Sequence, residues 1–276
     1  MKINKIYTVY FSPAGSTEYV SACLSEILSN KLKVSTENIN FTLPEYRMSK
    51  HDFKETDLVV FATPTYAGRV PNKILPFIQN LFCGNNTPTV TLVTYGNRNF
   101  DSSLKELTME LSKNNFRVFA AGAFVCRHVF SNRMAFGRPD EEDKKIIQLF
   151  ADSTIRKLQS CETVENLTTP VFKNNNIIKD YYVPLGTDNK PAKFLKATPK
   201  TNTELCDDCG ICAAVCPMGS IEKNNVNMIK GICIKCHACV LKCPKNAKYF
   251  DDPALASHIK MLEKNYSVRR NPEFFV

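Results

Sequence analysis

The chain of 276 residues has no tryptophan, only ten glycines and no long hydrophobic run. A membrane-spanning helix needs about 20 consecutive apolar residues, and no stretch approaches that length, which excludes a transmembrane protein. Any stacking on a flat ligand must come from tyrosine or phenylalanine, because no indole is present. The scarce glycines therefore draw attention to the turns in which they occur.

The amino-terminal segment also lacks the features of an export signal. Asn4 and Lys5 interrupt its apolar stretch, and no small-residue cleavage site follows. We therefore expect a cytoplasmic protein with reduced thiols, in which regularly spaced cysteines indicate metal or redox chemistry rather than disulfides. The formal net charge of +9 suggests a nucleic-acid partner at first sight, but the basic residues do not cluster, and we expect none.

Eight of the twelve cysteines form two copies of one pattern, with gaps of two, two and three residues and a proline at the end. The copies are Cys206, Cys209, Cys212, Cys216 before Pro217, and Cys233, Cys236, Cys239, Cys243 before Pro244. This spacing is typical of two [4Fe-4S] clusters, in which the fourth cysteine of each run binds the other cluster. The predicted ligand sets are Cys206, Cys209, Cys212, Cys243 and Cys233, Cys236, Cys239, Cys216. Zinc, which typically uses two separated cysteine pairs, is the alternative.

The first 160 residues alternate apolar strands with amphipathic helices. Strand candidates are 6–11, 58–62, 90–94 and 118–125, with a weaker second strand at 37–41. Such alternation predicts an α/β domain with a parallel sheet covered on both faces. We expect this domain over 1–160, a connector over 161–200, a cysteine domain over 201–250 and a helix with a tail over 251–276. The asparagines at 174–176 mark the connector.

Three loops, each with one of the glycines, follow the first, third and fourth predicted strands, where open parallel sheets bind ligands. The first leads into a helix, so its N–H groups and hydroxyls could hold a phosphate, and the lack of a P-loop lysine favours a monophosphate; plain helix capping is the alternative. The tyrosines and phenylalanine of the others could stack on a flat ring. The candidate binding residues are Ser12, Pro13, Ala14, Gly15, Ser16 and Thr17; Pro64, Thr65, Tyr66, Ala67 and Gly68; and Tyr95, Gly96, Asn97, Arg98, Phe100 and Asp101.

On these loops the first 159 residues resemble flavodoxin, although Ala14 replaces the hydroxyl residue usual there. The resemblance implies bound FMN and a doubly wound five-stranded parallel sheet of order 2-1-3-4-5. The segment from about 201 to 250 resembles a bacterial two-cluster ferredoxin, a small α+β domain. With its motifs at 63–69, 95–98 and 137–140, nearly the whole chain is similar to the flavodoxin–ferredoxin fusions called ferrodoxins.

The resemblance implies an electron-transfer protein in which two [4Fe-4S] clusters and FMN exchange single electrons. We expect electrons to run from the clusters to FMN and on to a small organic acceptor, which would make the chain a reductase. The alternative is a carrier between redox partner proteins, with no substrate of its own. A cavity over the flavin, enclosed by the connector and His128, would favour the enzyme, whereas an exposed flavin edge would favour the carrier.

Three charged or titratable side chains are expected near the flavin. Arg69 and Arg98 have no matching carboxylates in the loops, so they would raise the flavin potential; the alternative is that both are solvated. His128, after the last predicted strand, is a candidate proton donor at neutral pH, with simple exposure as the alternative.

Overall fold

The computed structural model describes residues 1–172 and 177–276. The asparagines of the predicted connector, at 174–176, lie outside these ranges. The main sheet contains five parallel strands in the predicted order, β2-β1-β3-β4-β5. The strands are β1 (Lys5–Tyr10), β2 (Ser35–Asn40), β3 (Asp57–Pro64), β4 (Thr87–Tyr95) and β5 (Phe116–Val125). This is the flavodoxin-like arrangement of a doubly wound sheet.

The sheet separates two hydrophobic cores because successive side chains point to opposite faces. In β3, Leu58 and Val60 join one core, whereas Val59 and Phe61 join the other. Helices α1 (Ser16–Leu32) and α4 (Glu141–Ser160) cover the first face. Helices α2 (Leu75–Leu81) and α3 (Ser103–Lys113) cover the second. Burial on both faces explains why β3, β4 and β5 are buried along nearly their whole length. The edge strand β2 is polar and mostly exposed.

A sixth strand corrects the expectation of five. Strand β6 (Glu273–Phe275) pairs antiparallel with β5 at the edge of the main sheet. The Phe274 ring packs 5.3 Å from Phe150 on one face, and the Phe275 ring packs 5.2 Å from Phe172 on the other. The tail returns because both rings find an apolar face, and its pairing covers an edge that would otherwise stay open.

The cysteine segment contains two one-turn helices, α5 (Ile211–Ala214) and α6 (Ala238–Leu241). A two-stranded sheet of Lys200–Thr201 with Lys248–Tyr249 closes it. The segment docks on the main sheet domain, where the buried Arg47 donates from Nη2 to the Pro217 carbonyl at 2.8 Å.

After the cysteine segment, α7 (Pro253–Asn265) begins as predicted at Asp252, whose carboxylate accepts from the Leu255 N–H at 2.8 Å.

A second two-stranded sheet joins His51–Asp52 to Phe82–Cys83. None of the helices in the described ranges is long and apolar enough to cross a membrane.

Candidate functional site

A cavity of about 780 Å³ lies at the carboxyl ends of β1, β3, β4 and β5. Its volume is within the range of small-molecule and cofactor sites. The predicted loops form one side together with residues 71–73 and the segment 126–130 after β5, and three later parts of the chain complete the lining. These parts contribute Tyr181, Tyr182, Pro184 and Phe194–Thr198 of the connector, Gly231–Lys235 of the cysteine segment, and His258 and Leu262 of α7.

The loop after β1 can receive an anion. Gly15, at φ 89°, begins α1 without a side-chain cap in the described structure. Ser16 and Thr17 are the first helical residues, so their N–H groups have no partner within the helix. Ser12 Oγ accepts from the Glu18 N–H at 3.0 Å, which satisfies one further donor by capping. Gly15 is not among the described lining residues, but Ser12, Pro13, Ala14, Ser16 and Thr17 line the cavity, and the helix N-terminus there suits a phosphate.

The loop after β3 makes a tight turn. The N–H of Tyr66 donates to the Arg69 carbonyl at 2.9 Å, and the N–H of Arg69 donates back at 3.1 Å. Ala67 and Gly68 both have positive φ, and a Cβ on Gly68 would clash with the side chain of Asp101. The turn therefore requires glycine and presents the partly buried Tyr66 to the cavity.

The loop after β4 reaches the cavity with only part of its predicted residues. Tyr95, Gly96 and Arg98 line it. The Tyr95 ring is buried against Phe100 at 5.5 Å, which leaves Tyr66 as the better candidate for stacking. Asn97 instead donates its amide to the Tyr266 and Val268 carbonyls, at 2.6 and 2.9 Å, and holds the carboxyl-terminal tail. Phe100 and Asp101 are not among the described lining residues either.

The expectation that Arg69 and Arg98 lack carboxylate partners is wrong. Arg69 Nε donates to Glu106 Oε2 at 2.8 Å in a two-pronged ion pair, and Glu106 is only 3% exposed. Arg98 pairs with Asp101 of its own loop. Arg69 does not line the cavity in the described structure, so of the two only Arg98 can act on a ligand there, and Asp101 offsets its charge.

His128 lines the cavity but does not carry the expected proton. Its Nδ1 accepts from the Phe130 N–H at 3.2 Å. Burial lowers the pKa of His128 to about 3, with further lowering by His258, His237 and Arg98. The ring is therefore neutral at neutral pH, and the donor role predicted for an imidazolium is not supported.

Sequence reasoning missed His258, on the buried face of α7. Its Nδ1 lies 2.8 Å from the Leu185 carbonyl, and its ring stacks on Phe194 at 5.4 Å. Burial lowers its pKa as well. A histidine three residues after Leu255 and four before Leu262, within an apolar stripe, was the available signal.

The eight cysteines surround two small pockets, one for each predicted ligand set. We call Cys206, Cys209, Cys212 and Cys243 the outer quartet, and Cys216, Cys233, Cys236 and Cys239 the inner quartet. No three His, Cys, Asp or Glu side chains in the described ranges are arranged for a single metal ion; each quartet is spread around its pocket.

Backbone N–H groups donate to two of these sulfurs. The Ser220 N–H points to Cys216 Sγ at 3.3 Å, and the Ala247 N–H points to Cys243 Sγ at 3.2 Å. Hydrogen bonds of this kind stabilise the thiolates that ligate iron–sulfur clusters. Both quartets therefore have a donor set that fits such a cluster.

The two quartets differ in their distance from the cavity. Cys233 lines both the inner pocket and the cavity. The pKa of Tyr66 is raised well above its usual value by burial and by the nearby Cys236 and Cys233. In the outer quartet Cys209 is exposed. The inner quartet thus borders the cavity, while the outer one faces solvent.

Residues 198–244 match a family described as the 4Fe-4S dicluster domain. No curated protein sequence matches the chain. A short-chain flavodoxin associated with a non-canonical PDU bacterial microcompartment is 16% identical, over 56% of this chain and 98% of that one, with a TM-score of 0.40. Flavodoxin 2 from Bacillus cereus is 13% identical, over 55% of this chain and 99% of that one, with a TM-score of 0.39.

These structural likenesses are too distant to carry an argument, and the fold assignment rests on the strand order itself. The cysteine spacing, the two pockets and the family match agree on the carboxyl-terminal part. The chain therefore joins a flavodoxin-like α/β domain to a 4Fe-4S dicluster segment, as a flavodoxin–ferredoxin fusion does.

Proposed function

We propose that this electron-transfer protein binds FMN in the cavity and one [4Fe-4S] cluster at each quartet, and reduces a small organic acceptor in the cytoplasm. When bound, the flavin takes up one or two electrons, whereas each cluster passes one. One observation carries the proposal: a single cavity is bordered by the flavodoxin-like loops, the inner quartet and a roof from the connector and α7.

The flavodoxin-like loops supply the residues that would hold FMN. The N–H groups of Ser16 and Thr17, with the Ser16 hydroxyl, would bind the phosphate after β1. Tyr66 and the backbone at Gly96 would border the ring. A Cβ on Gly96 would clash with the His128 ring, so glycine is needed for this close approach.

The positions of the quartets suggest separate duties. The outer quartet, with its exposed Cys209, would meet a redox partner protein. The inner quartet would serve the cavity, because Cys233 already forms part of its wall. Tyr66 lines the cavity and also lies close enough to Cys236 and Cys233 for them to raise its pKa.

The roof favours an enzyme over a carrier. The Tyr182 N–H donates to the Ala67 carbonyl at 2.8 Å, which ties the connector across the loop after β3. Phe194 and His258 stack beside it, so connector and α7 cover the cavity together. These side chains would limit the water around an acceptor bound in the cavity and narrow the access of a large partner to the proposed flavin.

Anaerobic purification followed by assays of iron, sulfide and flavin tests the cofactors. We expect about eight irons and one FMN per chain. A Cys209→Ser variant should lose about half of the iron, whereas Cys161→Ser, outside both quartets, should lose none. Zinc without flavin would contradict the proposal.

The roof can be tested with two acceptors of different size. Phe194→Ala should raise KM for the small quinone menadione severalfold, because the roof opens. Reduction of cytochrome c, which is too large for a cavity of about 780 Å³, should stay unchanged. Unchanged kinetics with both acceptors would favour the carrier.

A further inference from the structure

The end of the cavity beside β5 is remote from the proposed phosphate loop. Strands β3 and β4 separate β1 from β5, which places the two ends about 14 Å apart at about 4.8 Å per strand. Arg127 and His128 follow β5 directly, and both line the cavity. Their side chains are therefore not needed by a phosphate held after β1.

The cavity wall has positive charge without a carboxylate. In the described part of the chain, no Asp or Glu lines it, whereas five basic residues do: Lys73, Arg98, Arg127, Lys196 and Lys235. The buried Nε of Arg127 has no hydrogen-bond partner among the described residues. Its Nη2 donates to Asn132 Oδ1, so Arg127 is held at the wall and contributes its positive charge there.

The two cavity histidines have opposite tautomers. Because His128 Nδ1 accepts from the Phe130 N–H, the hydrogen of its neutral ring is on Nε2. Because His258 Nδ1 faces the Leu185 carbonyl, which can only accept, its hydrogen is on Nδ1 and its Nε2 is an acceptor. Burial keeps both rings neutral, and Arg98 adds to the effect. His128 thus adds a second donor beside Arg127.

The walls of this end are flat. The rings of Phe194 and His258 stack at 5.4 Å with 29° between their planes. Tyr182 lies 6.3 Å from His258, and the Arg98 guanidinium covers Tyr182 at 3.9 Å. Aromatic and guanidinium planes favour a flat ligand over a bulky one.

We propose that Arg127, His128, Tyr182, Phe194 and His258, here called the β5 subsite, bind a planar organic carboxylate. The carboxylate pairs with the Arg127 guanidinium and accepts from His128 Nε2, and the flat part of the molecule lies against the aromatic walls. The proposal rests on the proposed function, since it names the class of acceptor that the cavity takes.

Calorimetric titration of the purified full chain with benzoate and with its neutral isostere benzamide tests the β5 subsite, with the FMN content measured on the same samples. Benzoate should bind at least tenfold more tightly than benzamide, since hydrogen bonds to a charged group are the stronger ones. Arg127→Gln should weaken benzoate binding about tenfold and change benzamide binding less than twofold. Arg133→Gln is the matched control, because that side chain is 84% exposed and outside the cavity.

Equal affinities of the unaltered chain for the two probes would overturn the β5 subsite, whether or not a variant folds. An unchanged benzoate affinity in both Arg127→Gln and His128→Gln would overturn it too. Bound FMN without benzoate binding would contradict the subsite alone. Benzoate binding to a chain that contains no flavin would support the subsite and contradict the FMN proposal.

Discussion

The outer and inner quartets come from the same repeated motif but have different surroundings. At matched positions of the two copies, Cys209 is exposed and Cys236 is buried. The inner pocket shares Ile232, Cys233 and Ile234 with the cavity, whereas the outer pocket shares no described lining residue with it. The motif therefore supplies the same four thiol groups in each copy, while the packing around each copy decides whether those thiols adjoin the cavity or the solvent.

One matched pair of residues shows how this difference arises. Gly210 and His237 each follow the second cysteine of a copy, and both have left-handed backbone, with φ of 73° and 58°. The His237 ring lies between Phe250, at 4.4 Å, and Phe130, at 4.7 Å. Gly210 has no side chain with which the outer copy could make such a contact. The His237 imidazole, in contrast, packs the inner copy against Phe130 in the loop that follows β5.

Removing one ligand from each copy should have the largest effect. Cys209→Ser and Cys236→Ser should each lose about half of the iron, but only Cys236→Ser should also reduce FMN content, because Tyr66 lies beside Cys236. Iron and flavin assays after anaerobic purification measure both. Equal FMN losses in the two variants would mean that the quartets are equally close to the flavin site.

The next largest effect should follow removal of the hydrogen bond by which Arg47 docks the cysteine segment at Pro217. Arg47→Met should lower the free energy of unfolding by about 3 kcal/mol, because buried carbonyls of Phe41 and Pro217 lose a charged donor. Urea unfolding followed by circular dichroism gives the value. The exposed Arg156→Met should change it by less than about 0.5 kcal/mol. Similar values for both variants would show that the docking contact contributes little.

Acid should lower the free energy of unfolding through His128, which lines the cavity beside the inner quartet. Its pKa is about 3 in the folded chain and ordinarily 6.5, so between these values the unfolded chain binds more protons. Stability should therefore fall as pH falls from 7 to 5, by about 2 kcal/mol from this residue. His258, His237 and Arg98 face the ring and disfavour its protonation.

Urea unfolding of the unaltered chain and His128→Asn at pH 5, 7 and 8 isolates this contribution. The variant should lose about 2 kcal/mol less between pH 7 and 5. Between pH 7 and 8 the two should change alike, because the imidazole is neutral in both states. An identical acid response in both proteins would show that the pKa of His128 is not lowered in the folded chain.

The smallest effects on stability should follow single substitutions of the matched residues Gly210 and His237. His237→Gly relieves left-handed backbone but removes a ring stacked on two others, so we expect a net loss of about 1–2 kcal/mol. Gly210→Ala should cost about 1 kcal/mol from backbone alone, since an added Cβ meets nothing within 4 Å. Thermal unfolding compares the variants. A stabilised His237→Gly would show that the stacked ring contributes less than the strained backbone costs.

Local patterns made much of this architecture predictable. Four of the five parallel strands are largely buried runs, and the quartets follow from cysteine spacing, so each of these signals lies within a short window. The polar, mostly exposed β2 gives only a weak signal. The proposed phosphate loop after β1 could be predicted for the same reason, because a turn and the helix after it are contiguous in sequence.

Contacts between distant parts of the chain were not predictable. Arg69 finds Glu106 only because α3 packs beside the loop after β3, 37 residues away in sequence. The sequence around Asn97 predicts only a loop residue, because its hydrogen-bond partners in the tail lie about 170 residues later. The roof and β6 likewise depend on where the chain goes after the cysteine segment.

The return of the tail has a consequence for synthesis. During translation, the strands and helices of the first domain leave the ribosome well before β6 and α7, which follow both quartets in sequence. The sheet edge at β5 and the roof can therefore be completed only after the cysteine segment has emerged. The proposed FMN and clusters would therefore meet a nascent chain whose cavity is not yet complete.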